Sequence, residues 1–160
     1  MSRGFVLFIV AAAAASAQAA DSACYSALLD ASNAVGGTAW SACSPQYSAD
    51  LVKYLTYRNC AIFTEQDAAT CDSMIANYSK CGLKAAKLLK ADNTFDDAAF
   101  KATTLQNKCS ADAKFIAGYP TCVKSTMKYL NFLRLFNCLV NGKSSVMSQK
   151  NIEMSQKKTN

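Results

Sequence analysis

The sequence predicts an all-α fold, a single domain built as a disulfide-stapled bundle of about five helices. Apolar residues recur at intervals of three and four along most of the chain, as they do on one face of an α-helix. Apolar residues alternating with polar ones, the pattern of a half-buried strand, are not found in any long run. The chain also contains 8 cysteines, an even number that suits disulfide pairing.

Residues 1–19 have the pattern of a secretory signal peptide. Arg3 gives a basic start, an apolar stretch follows at 5–15, and the small residues around 17–19 suit a cleavage site after Ala19. The apolar stretch is too short for a bilayer core, which takes about 20 residues. We therefore expect a secreted, extracellular protein with no integral membrane segment after cleavage.

The rest of the chain divides by composition into two parts. Residues 20–142 hold every cysteine and form the predicted cysteine-rich helical domain. Residues 143–160 are polar and lysine-rich, and we expect a flexible tail there. With 17 basic against 11 acidic residues, the net charge is +6. A chain this mildly basic and sent outside the cell gives little reason to expect nucleic-acid binding.

Glycine, proline and capping residues predict where the helices begin and end. Gly36-Gly37 should end the first helix, and Pro45 should begin the second. Thr64 with Asp67, and Thr94 with Asp97, resemble capping boxes. The helix that contains Cys71 should place Asp72, Ser73 and Lys80 on its solvent side. The helices predicted in this way cover 24–35, 45–60, 65–81, 95–109 and 122–140, with a short helical segment at 110–117.

In a secreted chain the eight cysteines should form four disulfides between helices. Ten helical residues advance about 15 Å, whereas a disulfide needs Cα atoms within about 7 Å. The predicted helices therefore exclude the pairs 71–81, 43–60 and 122–138, and they leave the other pairings open. The cysteines are Cys24, Cys43, Cys60, Cys71, Cys81, Cys109, Cys122 and Cys138.

The composition argues against an enzyme and against a bound metal or cofactor. The chain has 0 histidines, which removes Ser-His-Asp and Cys-His catalysis and histidine metal sites. Glycosidase-type catalysis would need a pair of carboxylates, and the glutamates available are Glu65 and Glu153. Glu65 follows Thr64, where a helix start accounts for it.

Two surface features lie on the predicted third helix. Asn77-Tyr78-Ser79 matches the N-x-S acceptor triplet, so Asn77 is a candidate glycosylation site. Lys80, Lys84 and Lys87 share a face if the helix continues past Gly82. That face suits an anionic partner, although a solvated lysine face is the preferred interpretation.

Two functions remain compatible with the sequence. The first is a secreted binding protein, an effector, toxin-like or signalling factor, with Tyr54, Tyr57 and Arg58 as candidate contacts to an unknown extracellular protein. Packing of one of these tyrosines in the core, with the others at the surface, is the slightly preferred interpretation. The second is a carrier of a small apolar ligand such as a lipid or sterol. Its cavity would be lined by Met74, Phe100, Phe115, Met127, Phe132 and Phe136. The alternative is that these side chains fill the core completely, which is the usual outcome.

Overall fold

A computed structural model describes residues 3–57, 60 and 68–141, and it describes side chains from residue 23 onward. Several sequence predictions therefore lie outside the described residues. They are the Thr64–Asp67 cap, the contact at Arg58, the carboxylates of Glu65 and Glu153, and the tail at 143–160.

The described ranges are helical and contain no strand. Leu89 and Phe95 form an isolated antiparallel bridge. A π-helical turn, Phe100–Thr104, extends α3, and a 3-10 turn, Met127–Tyr129, follows α4. The predicted all-α single domain is confirmed. The helices are α1 (Arg3–Thr56), α2 (Ala68–Ala85), α3 (Asp97–Ala99), α4 (Ala113–Thr126) and α5 (132–141).

The predicted stop at Gly36-Gly37 is wrong, because α1 continues through both glycines. A glycine inside a helix costs only about 0.5–1 kcal/mol relative to alanine, and packing of α1 against α2 outweighs that cost. The predicted start at Pro45 corresponds to a kink within α1, where Tyr47 has a non-helical φ of −119°. Proline removes one backbone hydrogen bond of the helix, which accounts for the bend.

Helices α1 and α2 form an antiparallel pair joined at two levels. Cys43 bonds to Cys81, with Cα atoms 6.0 Å apart, and Cys60 bonds to Cys71. Helix α2 continues past Gly82 to Ala85. A Cβ at Gly82 would lie 2.6 Å from the Cβ of Ala39. The glycine is therefore needed for close approach of the two helices, not for a helix end.

The predicted helix over 95–109 is much shorter in the structure. Asp96 caps α3, and its carboxylate accepts a hydrogen bond from the backbone N–H of Ala99 at 3.0 Å. The helix ends after the π-helical turn, since Gln106 and Asn107 take positive φ values of 52° and 55°. The turns that follow bring Cys109 to Cys24 on α1, with Cα atoms 4.5 Å apart.

The predicted bounds of the short helical segment at 110–117 are also wrong, because α4 runs on through Gly118 and Pro120 to Thr126. A break lies inside the predicted helix 122–140, at Leu130, whose φ is 58°. Asn131 then caps α5, and its side-chain oxygen accepts a hydrogen bond from the N–H of Arg134 at 3.0 Å. The chain therefore folds back on itself between α4 and α5.

Because of that turn, one of the three disulfides excluded from the sequence does form. Cys122 and Cys138 are bonded, with Cα atoms 5.7 Å apart, because α4 and α5 form a hairpin and not one straight helix. The other two exclusions, 71–81 and 43–60, are confirmed by the pairs observed. All eight cysteines are paired and none is free. Among the residues whose side chains are described, no helical stretch is long and apolar enough to cross a membrane.

The close contact between α1 and α2 gives a stability prediction. Gly82→Ala should lower the free energy of unfolding by about 1–3 kcal/mol, because the added methyl group forces the helices apart. Gly37→Ala is the matched control. A Cβ at Gly37 meets nothing within 4 Å. The free energy of unfolding of the control should therefore rise by about 0.5–1 kcal/mol, since alanine favours the helix over glycine. Urea unfolding followed by circular dichroism measures both, and equal stability of the two variants contradicts the prediction.

Candidate functional site

Before its kink, α1 presents large apolar side chains to solvent on one side. Tyr25 is 45% exposed, Leu29 is 39% exposed and Trp40 is 62% exposed. At about 100° per residue, the three side chains lie within roughly 60° of arc around the helix axis. We call this surface the α1 outer face. The core side of the same helix carries buried residues, among them Leu28 and Val35.

The α1 outer face is unusually poor in charge. Between positions 23 and 49 the sequence has one charged residue, Asp30, whereas charged residues make up about 25% of a typical soluble domain. The cores of protein interfaces are depleted in charge and enriched in tyrosine and tryptophan. The composition of this face therefore favours contact with another protein over contact with a polyanion.

Of the predicted contacts at Tyr54, Tyr57 and Arg58, the structure describes the two tyrosines, and one of them packs in the core. Tyr54 is fully buried, because the register of α1 after its kink turns it and Leu51 toward the core. Tyr54 therefore cannot contact a partner in this fold. Tyr57 is 44% exposed and remains a candidate contact, while Arg58 lies outside the described residues. Sequence reasoning missed Trp40, although the charge-poor stretch around it is visible in the sequence.

The six predicted lining residues meet in one core cluster. Four of them are buried phenylalanines, and Met74 and Met127 pack against the cluster while partly buried. The ring of Phe100 lies 5.7 Å from that of Phe136, so these rings pack against each other. Phe115 also borders a small pocket of about 40 Å³.

A larger pocket, of about 330 Å³, lies between α1 and the turn that follows α3. It shares no residue with the six predicted lining positions. Small side chains on α1 form much of one wall, and polar side chains lie around it. Its residues are Asp30, Ala31, Ala34, Val35, Thr38, Ala86, Thr103, Thr104 and Gln106. The α1 positions recur at helical spacing, which is the signal that could have identified the groove.

Asp72 lies in the core, and the prediction that it faces solvent is wrong. Its carboxylate accepts a hydrogen bond from the Asn131 side chain at 2.8 Å and pairs with Arg134 at 2.7 Å. The Arg134 guanidinium also donates to the backbone carbonyl of Ser125. Burial raises the pKa of Asp72, and the Asn131 hydrogen bond and the charge of Arg134 offset only part of that shift. A carboxylate enclosed in this way joins α2 to α5 and is inaccessible to a substrate.

A second carboxylate, Asp97, is held by two side chains. Tyr119 donates a hydrogen bond to it at 2.5 Å, and Lys101 pairs with its other oxygen at 2.9 Å. Burial works to raise the pKa of Asp97, but these two contacts and the charge of Lys90 outweigh it and lower the pKa. Burial and the nearby carboxylate raise the pKa of Tyr119. The described residues contain no group of three or more acidic or cysteine side chains placed to hold a metal ion.

The acceptor triplet lies in the middle of α2. Asn77 is exposed, whereas Tyr78 is 3% exposed and Ser79 is completely buried. Lys80 and Lys84 are also exposed, and helical spacing puts them on the same side of α2 as Asn77. We call these three residues the α2 outer face. Lys87 lies beyond the end of the helix, at a φ of 58°.

The buried pair gives a prediction with a pH dependence. Arg134→Met should lower the free energy of unfolding by about 3–5 kcal/mol near neutral pH, because it leaves the Asp72 carboxylate buried without its charge partner. The pKa of Asp72 is already raised in the folded state, and losing the arginine raises it further. The folded variant then binds a proton more readily than the unfolded chain. The difference in free energy of unfolding between the wild type and Arg134→Met should therefore shrink as the pH falls from 7 toward about 4.

Lys124→Met is the control, since it removes an exposed charge from α4 and should change stability by less than about 0.5 kcal/mol. Urea unfolding at several pH values measures both variants against the wild type. If the loss in free energy of unfolding caused by Arg134→Met does not change with pH, Arg134 is not the charge partner of a buried Asp72 carboxylate.

No protein-family model, no curated protein and no solved structure matches this chain. No residue of a known site is therefore transferred to it. The function has to be inferred from the chemistry of its own surfaces, of which the α1 outer face is the most distinctive.

Proposed function

We propose that this chain is a secreted, non-enzymatic helical protein that acts by binding an extracellular protein through the α1 outer face. The observation that carries the proposal is the 62% exposure of Trp40 on a face with almost no charge. Exposing an indole to water costs free energy that burial in an interface recovers. Tryptophan and tyrosine are also the residues that most often dominate binding energy at such interfaces.

The disulfides support a binding role for this face. Cys24 and Cys43 lie at its two ends, and they are bonded to Cys109 and Cys81. The intervening helix is about 29 Å long and is held to the domain at both ends. A surface fixed before binding loses little conformational entropy when the partner arrives.

The extracellular location is supported by two independent features. Residues 1–19 have the signal-peptide pattern, and all eight cysteines are paired, as is typical of proteins in oxidising compartments. The absence of histidine from the sequence and the engagement of Asp72 and Asp97 by neighbouring side chains favour a non-enzymatic role.

Replacement of Trp40 tests the proposal. Labelled wild-type protein should bind saturably to intact cells of the source organism. Trp40→Ser should weaken that binding at least about 30-fold, as loss of a hot-spot residue does. Ile116→Ser is the matched control, because Ile116 is 55% exposed but lies on α4. Both variants should keep the wild-type melting temperature, since each replaces a solvent-exposed side chain.

Equal affinity of the two variants, or the lack of saturable binding by the wild type, contradicts the proposal. Analytical ultracentrifugation of the wild type distinguishes a further outcome. If Trp40→Ser abolishes a dimer of the wild type, the α1 outer face contacts a second copy of this chain, and the proposed external partner is wrong.

The groove beside α1 favours one alternative, the carrier of a small apolar ligand. Its volume of about 330 Å³ lies at the lower end of the range for small-molecule sites, about 300–1,000 Å³. Native mass spectrometry of gently purified protein should then show a bound lipid-sized molecule. Ala34→Phe, which fills the groove, should lose that molecule, while Trp40→Ser should keep it. A ligand-free spectrum of the wild type contradicts the carrier function.

A further inference from the structure

Ser79 is a buried polar residue that the fold does not explain. It lies on α2, is 0% exposed, and its hydroxyl makes no hydrogen bond to any of the described residues. Leaving a buried hydroxyl unpaired costs about 1–3 kcal/mol. Alanine fills nearly the same space and carries no such cost, so packing alone favours alanine at this position.

The neighbouring sequence indicates a role for Ser79 before the chain folds. Asn77 lies two residues earlier and is exposed, and Asn77-Tyr78-Ser79 is an N-glycosylation acceptor triplet. We propose that Asn77 is glycosylated before α2 packs into the domain, and that Ser79 serves the recognition of the triplet, not the stability of the fold. The inference rests on the secretion that the proposed function includes.

Because the triplet is buried in the folded domain, glycosylation has to come before the packing of α2. A transferase has to contact the hydroxyl of the third residue, and in the folded domain Tyr78 and Ser79 are 3% and 0% exposed. The two disulfides of α2, at Cys71 and Cys81, hold the helix against its neighbours. The triplet is therefore a substrate only while α2 is unpacked, and formation of those disulfides competes with glycosylation.

The chemical step needs one co-reactant, an oligosaccharide carried on a polyisoprenyl diphosphate. The side-chain amide nitrogen of Asn77 forms a bond to the anomeric carbon of the sugar. The bond from that carbon to the diphosphate oxygen breaks, and the lipid diphosphate leaves with the electron pair. The amide nitrogen loses one proton to a base of the transferase, and no atom is oxidised or reduced.

The folded domain has room for the product. At about 100° per residue, Asn77 lies roughly 140° around α2 from Gly82, which is the point of contact with α1. A glycan on Asn77 therefore projects from the α2 outer face, beside Lys80 and Lys84, and does not enter the interface between the two helices.

Expression in a secreting eukaryotic cell line tests the inference with three chains, the wild type, Asn77→Gln and Ser79→Ala. The secreted wild type should carry one glycan that peptide N-glycosidase removes, and both variants should lack it. Asn77→Gln, which lacks the glycan but keeps the serine, should melt no higher than Ser79→Ala, because the serine contributes nothing to the packed state. Brief treatment of the cells with a membrane-permeable reductant should raise occupancy, since it delays closure of the disulfides.

Secretion of an unglycosylated wild type overturns the inference and leaves the proposed binding function standing. Retention of the wild type inside the cell counts against both. A Ser79→Ala variant that melts well below Asn77→Gln shows a structural role for the hydroxyl and also overturns the inference. Occupancy that is unchanged by the reductant contradicts the proposed order of events.

Discussion

The contact at Gly82 constrains the rest of the fold. A Cβ there would meet both Ala39 on α1 at 2.6 Å and the ring of Phe132 on α5 at 3.1 Å. Three helices therefore converge where one residue has no side chain. The neighbouring Cys43–Cys81 bond keeps α1 and α2 at that separation. One turn earlier on α2, the ring of Tyr78 lies 6.2 Å from that of Phe132, so the same close approach also determines how α5 packs.

The ion pair of Asp72 and Arg134 is a second constraint, and it acts on the connection between α4 and α5. Removing both charges from water is costly, and replacement by apolar residues is often neutral or stabilising. Stability alone therefore does not explain the pair. Asn131 caps α5 and also donates to Asp72, so the same side chain that begins the helix ties it to α2. The pair specifies one position for the turn, and that turn brings Cys122 to Cys138.

The sequence was sufficient for the fold class, the helical character and the even pairing of cysteines, because these follow from periodicity and composition. It was insufficient for helix ends, because a glycine has no fixed meaning without its neighbours. Gly37 is tolerated inside a helix with open space beside it, whereas Gly82 is needed at a contact. The turn at Leu130 was also hidden, since leucine rarely adopts a positive φ and only the surrounding packing imposes one.

For the candidate site as well, the sequence predicted some side-chain positions correctly and others wrongly. Helical periodicity placed Ser73 and Lys80 correctly on the solvent side of α2. It placed Asp72 wrongly, because no local pattern reveals a charge partner 62 positions along the chain. Trp40 was overlooked because prediction concentrates on residues that match a known pattern, whereas its signal is the charge missing around it.

The two outer faces differ in chemistry, and the difference bears on how the molecule is used. The α1 outer face is apolar, aromatic and nearly uncharged, while the α2 outer face carries Asn77, Lys80 and Lys84. Two lysines, together with the glycan proposed at Asn77, would keep this surface hydrated and resist burial in a protein interface. In the proposed binding mode, an apolar partner is thereby directed to α1. Because the Cys43–Cys81 bond joins the two helices, the hydrated side and the apolar side keep a fixed relation, and one orientation of docking is favoured over the others.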